Sequence, residues 1–167
     1  MQKRFFLRAI ACAAVAASAT TAMAQDKFKI GLILPMTGPF ASTGKQIEAA
    51  ARLYMAQNGD MVAGKKVELI VKDDTSAPDV TKRIAQEMVV NDKVSVLAGF
   101  GLTPLAFATA PIATQSKTPL VVMAAATSSI TQASPFIVRT SFTLPQAAVA
   151  IADWAPNNGI KKVVTLV

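Results

Sequence analysis

Three short stretches of this chain set threonine or serine beside glycine or alanine: PMTGPFASTG (35–44), GFGLTP (99–104) and AAATSS (124–129). Each precedes or opens a helical pattern, and the first N–H groups of a helix lack intrahelical partners and lie at the positive end of its dipole. Hydroxyls and N–H groups placed in this way suit an anion. Neither a cluster of arginines nor a metal-ligating group accompanies them, so the chemistry expected is the capture of one carboxylate rather than of a polyphosphate. Taken singly, Thr103 and Thr127 read as plain helix N-caps. Three such loops in one chain point to a site.

The residue types that are missing narrow the function further. The sequence contains no His, and its single Cys is Cys12. The commonest general base and imidazole ligand are therefore absent, and so is any metal site built on several cysteines. Two phosphate-loop look-alikes also fail. In GPFASTGKQ five residues separate Gly38 from Gly44 where a P-loop has four, and Gln46 stands where the Mg-binding hydroxyl belongs. After Gly99 and Gly101, Pro104 occupies the third glycine position of a dinucleotide fingerprint, and no acidic residue follows at the needed distance. The reading is a binding protein without cofactor or metal, not an enzyme.

The opening residues carry Lys3, Arg4 and Arg8, then an apolar run from Ala9 to Ala17, then Ala22-Met23-Ala24. This is the pattern of a secretory signal peptide cleaved after Ala24. The apolar run falls well short of the ~20 residues that span a bilayer. Lipidation at Cys12 is disfavoured, because Ala9 stands where the lipidation motif has Leu. Cleavage removes the Cys and three bases. Of 17 Lys and Arg, 17 minus 3 leaves 14 against 10 Asp and Glu, a balance of +4. The remaining bases are scattered or paired, as in Lys65-Lys66 and Lys161-Lys162, with few aromatics beside them, so no nucleic-acid surface is expected.

Elements that would position the three loops are legible from periodicity. Short apolar runs alternate with longer helical patterns, the signature of a parallel α/β sheet with helices on both faces. The runs predict strands over 28–34, 66–73, 94–99, 119–124, 136–140 and 162–167, and helices over 44–58, 78–91, 104–115 and 145–156. Val80, Ile84 and Met88 recur at helical spacing behind Pro78 and Asp79, and Thr103 before Pro104 reads as an N-cap with Pro at the first helical position. The stretch 124–132 predicts one short helical turn beginning at Thr127. In an open parallel sheet the loops that follow the strands line one edge, where ligands bind. The best domain boundary lies near 141–144, giving a signal peptide over 1–24, an α/β ligand-binding lobe over 25–142 and the start of a second lobe over 143–167.

The run IGLILPMTGPFASTG, the pair Asp73-Asp74, and then VLAGFGLTP, PLVVMAAATSSIT and FIVRTSFTLPQAAVAIADWA, in this order, resemble the leucine/isoleucine/valine-binding proteins. These are type I periplasmic solute-binding proteins of branched-chain amino acid ABC importers, and the resemblance covers residues 27–167. It implies two α/β lobes joined by three crossing segments that close on a ligand, with the first lobe nearly complete and the second truncated at Val167. The chain then reads as an N-terminal fragment or a prematurely ended product. The resemblance also implies that Thr103 and Thr127 hold the ligand carboxylate, that Gly101 and Leu102 form the adjoining backbone wall, and that Ala125, with Ala126 beside it, helps receive an ammonium. Thr43 would stand beside the ligand side chain, and Phe100 would face the pocket or pack in the core. The implied partners are a small-molecule ligand and the membrane permease of an importer, with no nucleic acid, and the implied location is the periplasm. Relatives of this kind take branched-chain amino acids, amides, urea or aromatic acids. An exported sensor of the same fold is the alternative role.

Overall fold

The computed structural model describes residues 27–164, so the leader pattern lies outside the described residues. Its sheet has six strands: β1 (Lys27–Leu34), β2 (Met61–Val62), β3 (Lys65–Asp73), β4 (Val96–Gly99), β5 (Leu120–Val122) and β6 (Ile137–Arg139). Their order across the sheet is β2-β3-β1-β4-β5-β6, and all pairs are parallel except β2 with β3. Three α-helices lie between strands, α1 (Ala41–Asn58), α2 (Pro78–Glu87) and α3 (Thr103–Ser116), and α4 (Leu144–Asn157) follows β6. The chain leaves β1, returns as β3 on one side, and crosses to β4 on the other. The strand order therefore reverses between β1 and β4, which is the position where open α/β sheets bind their ligands.

Alternating side chains divide the strands between two faces. Ile33, Leu97, Leu120 and Val122 are buried with Ile84, Ala85 and Met88 of the α2 region and Leu105, Ala106, Ala110 and Ala113 of α3. The opposite face is smaller: Leu32, Leu34 and Ala98 pack with Ile47 and Ala51 of α1. In α1 only Gly44 is buried. A Cβ there would lie 2.2 Å from the carbonyl oxygen of Pro35, so glycine lets the start of the helix rest on the loop that follows β1.

The predicted elements form, with four differences. The strand β2 was not expected. It pairs with β3 through the two-residue turn Ala63-Gly64, both at positive φ, the geometry of a tight hairpin. Alanine seldom takes that conformation, so the sequence lacks the usual asparagine or aspartate signal. The second helix ends at Glu87 and widens into a π turn over Met88–Asp92, closed by Lys93 in the left-handed region. Thr103 is the first residue of α3 rather than its cap, a position held by Leu102. Finally, residues 161–164 form no strand, and Val163 and Val164 are exposed. A strand needs a neighbour to complete its ladder, and none among the described residues flanks this segment; 165–167 lie outside them.

Candidate ligand-binding site

The loop after β1 is fixed from the end of β3. Asp73 accepts hydrogen bonds from the Met36 N–H at 2.9 Å, the Thr75 N–H at 2.9 Å and the Thr37 hydroxyl at 2.6 Å. Burial works to raise the pKa of Asp73, but the Thr37 hydroxyl and the neighbouring N–H groups outweigh it and hold the carboxyl below its ordinary value. Asp74 next to it is fully buried, and burial pushes its carboxyl up against the opposing bond from the Ser76 N–H. Thr43 lies in the first turn of α1 at this edge of the sheet, partly buried. No hydrogen bond among the described residues joins it to the other threonines of the site.

At the end of β4 the chain turns sharply. Gly99 has φ +119, where a Cβ would meet the Ile33 carbonyl oxygen at 2.1 Å, and Phe100 follows at φ 65. A left-handed Phe is costly. Its side chain is completely buried in the main core cluster, and that burial offsets the strain. Of the two positions expected for the Phe100 side chain, the structure selects the core. Its main chain ties three loops together: the Phe100 N–H donates to Ile33, and its carbonyl accepts from the Ala125 N–H, both at 3.0 Å.

This turn delivers Gly101, Leu102 and Thr103, all partly buried, next to the loop that carries Ala125, Ala126 and Thr127. Neither threonine caps a helix with its side chain: Leu102 and Thr127 occupy the cap positions of α3 and of the short 3₁₀ turn Ser128–Gln132, and neither makes a side-chain cap bond. Instead the Thr103 and Thr127 hydroxyls lie 2.8 Å apart. Thr103 thus lies inside α3 rather than at its cap, and Thr127 holds the cap position without capping through its side chain. Of two hydroxyls in mutual contact beyond the ends of β4 and β5, one O–H is held in their own bond and the other is left to donate to an anion, while the first can turn to the anion by giving that bond up.

The segment after β5 is braced by the chain that leaves β6. Thr140 donates its N–H to the Val122 carbonyl at 3.0 Å, and Leu144 donates to Ala126 at 2.9 Å. Arg139 donates from Nη2 to the Thr127 carbonyl. Sequence reading did not single out Arg139; its signal is a lone charge in the otherwise apolar run FIVRT. An apolar hollow lies away from these loops, against β1 and β3, where Ile30, Tyr54, Val62, Val67 and Leu69 line about 290 Å³. No group of three or more carboxylate, His or Cys side chains suited to a metal occurs among the described residues.

Known proteins are similar to this chain in sequence and fold. A family described as periplasmic binding protein matches residues 27–167. The Leu/Ile/Val-binding protein homolog 6 of Brucella abortus (strain 2308) is 46% identical over 166 residues, which are 99% of this chain and 42% of the relative. A solute-binding protein of an ABC transporter from Rhodopseudomonas palustris BisB5, solved with 3,4-dihydroxybenzoic acid, is 65% identical with a TM-score of 0.79 over 81% of this chain and 38% of its own. Another from Rhodopseudomonas palustris HaA2, solved with p-hydroxybenzoic acid, is 46% identical with a TM-score of 0.77 over 80% of this chain and 37% of its own. The chain thus spans about two fifths of the length of the relatives it matches. With its parallel sheet, its strand switch and a match extending from the first described residue to the last residue of the sequence, this chain belongs to the periplasmic binding protein family and has the type I fold.

Proposed function

We propose that the chain forms the ligand-receiving lobe of the extracytoplasmic substrate-binding component of an ABC importer for amino acids of the branched-chain type or related small carboxylates. The observation that carries this reading is the Thr103–Thr127 hydroxyl pair, unused in side-chain capping and set beyond the ends of β4 and β5, next to the strand switch. In this reading the two hydroxyls receive the carboxylate, Gly101, Leu102 and Ala126 form the wall, Ala125 adds its main chain, and Thr43 flanks the rest of the solute. Phe100 acts from below, as the strut that spaces the loops. Binding is noncovalent, and the protein delivers its solute to a membrane permease. The relatives are solute-binding proteins, which supports a role without catalysis. Small aromatic acids are the favoured class within this range, since the 65% identical relative was solved with a dihydroxybenzoic acid.

The leader pattern supports export to the periplasm with cleavage after Ala24. The lobe boundary near residue 142 is supported by α4, which buries none of its residues. A titration of the exported chain with leucine, isoleucine, 4-hydroxybenzoate and 3,4-dihydroxybenzoate tests the reading. Saturable binding, with a melting temperature that rises with ligand concentration, is the expected result. A cooperative melt that no carboxylate displaces would overturn it.

A further inference from the structure

The carboxylate reading leaves one charge unexplained, and the following inference rests on that reading. Arg139 is partly buried at the end of β6, and its Nη2 donates to the Thr127 carbonyl. Its Nε is buried with no hydrogen-bond partner. Several other cations are paired with carboxylates: Lys27 with Glu68, Arg52 with Glu48, Lys66 with Asp60, and Lys72 with Glu87 and Asp92. Among the described residues no carboxylate stands at ion-pair distance from Arg139. Two residues further on, Ser141 Oγ is likewise buried without a partner. A guanidinium is always charged, and withdrawing it from water without a counter-charge is unfavourable unless an anion joins it.

We propose that Arg139 is a positioning residue for the bound carboxylate: it clamps Thr127 through the main-chain carbonyl, and its unpaired positive charge stabilises the anion held by the Thr103–Thr127 hydroxyls. The neutral hydroxyls would then set the geometry, and Arg139 would make the site prefer a carboxylate over a neutral group of the same shape. Charge near an anion-binding site, rather than direct contact, is sufficient for this effect, because a low-dielectric surround leaves the attraction poorly screened.

The test compares charged and neutral probes on the chain expressed with its own leader and purified from the periplasm. Dissociation constants are measured for 4-hydroxybenzoate and 4-hydroxybenzamide, or for leucine and leucinamide if the wild type takes leucine, on the wild type, Arg139→Met and Arg139→Lys. The expected result for Arg139→Met is a loss of carboxylate affinity of about tenfold or more, with amide affinity changed by less than about threefold and Arg139→Lys intermediate. Equal losses for acid and amide in both variants would reduce Arg139 to a brace and overturn the inference; so would unchanged affinities. A wild type that melts cooperatively yet binds none of the acids overturns the carboxylate reading and this inference with it. Binding by the wild type without selective loss in the variants overturns this inference alone. Should Arg139→Met fail to fold, Arg139→Lys and the Nε–H resonance of Arg139 in the wild type decide: a resonance unmoved at saturating ligand overturns the proposal.

Discussion

The hydroxyl oxygens of Thr103 and Thr127 lie 2.8 Å apart, although 24 positions separate the two residues in the chain and each begins a different helical segment. What brings them together is main chain: the Phe100 N–H on Ile33 and the Ala125 N–H on Phe100 lock the ends of β1, β4 and β5 in one line. Since neither hydroxyl serves its own helix, either can be removed with little harm to the fold, and that separates binding from stability.

Thr127→Ala and Thr103→Ala are therefore each expected to weaken carboxylate binding by roughly 1.5–3 kcal/mol, the range for hydrogen bonds to a charged group. The melting temperature of Thr103→Ala should stay near that of the wild type, whereas loss of a working N-cap would cost ~1 kcal/mol. Calorimetric titration with a parallel melt reads both quantities. Because the hydroxyls touch, the double variant should lose less than the sum of the singles. Strict additivity would show that they do not share one anion.

Gly99→Ala tests the turn beneath the pair. The new methyl would sit 2.1 Å from the Ile33 carbonyl oxygen at φ +119, so both steric overlap and backbone strain oppose it. A loss of several kcal/mol is expected, at the upper end of single substitutions. Gly38→Ala offers the control: φ is +76 and no atom lies within 4 Å of the added carbon. Its cost should be only ~1 kcal/mol, from the left-handed backbone alone. Urea unfolding of the two variants measures the contrast. Similar losses at both glycines would remove the close approach of Gly99 to Ile33 from the account.

How far the sequence revealed this site differs from residue to residue. The strands β1 and β3 and the helix α3 follow from apolar runs and helix-start residues, because those signals are local. Thr103 and Thr127 were identifiable as candidates by their place after strands, but their contact was not, since it depends on the register Leu97↔Leu120 between β4 and β5 and on the left-handed turn at Phe100. Arg139 carried no local signal beyond its charge. Its meaning arises only when β6 lies beside β5, with Arg139 opposite Val122, and the Thr127 carbonyl comes within its reach. The hairpin strand β2 was hidden for a different reason, an alanine at a turn position that normally signals itself with asparagine or aspartate.

The carboxylates Asp73 and Asp74 should titrate in opposite senses. Asp73 is held below its ordinary value in the fold, so it contributes stability at neutral pH, and that contribution is lost as the pH falls through its folded-state pKa. Asp73→Asn should therefore be destabilising near pH 7 and approach the wild type in strong acid. Asp74 is raised by burial, so its ionised form is a liability above its folded-state pKa that lessens as the pH falls. Asp74→Asn should be neutral or stabilising near pH 7, provided that the amide oxygen keeps the Ser76 N–H. Unfolding free energies across pH 3 to 7 distinguish the two, and parallel profiles for both variants would contradict the assigned environments.

The helix α4 should be the least protected element of the fold. Its start is well made: the Thr143 N–H donates to the Gln146 side chain at 2.7 Å within a full capping box. Yet it buries no residue, and Val149, Ile151 and Trp154 are all exposed. A helix of 14 residues held by capping alone is marginal in water, since most helical stability in proteins comes from a packed apolar face. Its amides should therefore exchange well before those of α2 and α3, which are anchored by Ile84, Ala85, Leu105 and Ala106. Trp154, the sole tryptophan, should emit as a water-exposed indole and be readily quenched by acrylamide. Slow exchange in α4 together with a shielded Trp154 would mean that this apolar face is covered in solution, by a second copy of the chain if the protection rises with protein concentration.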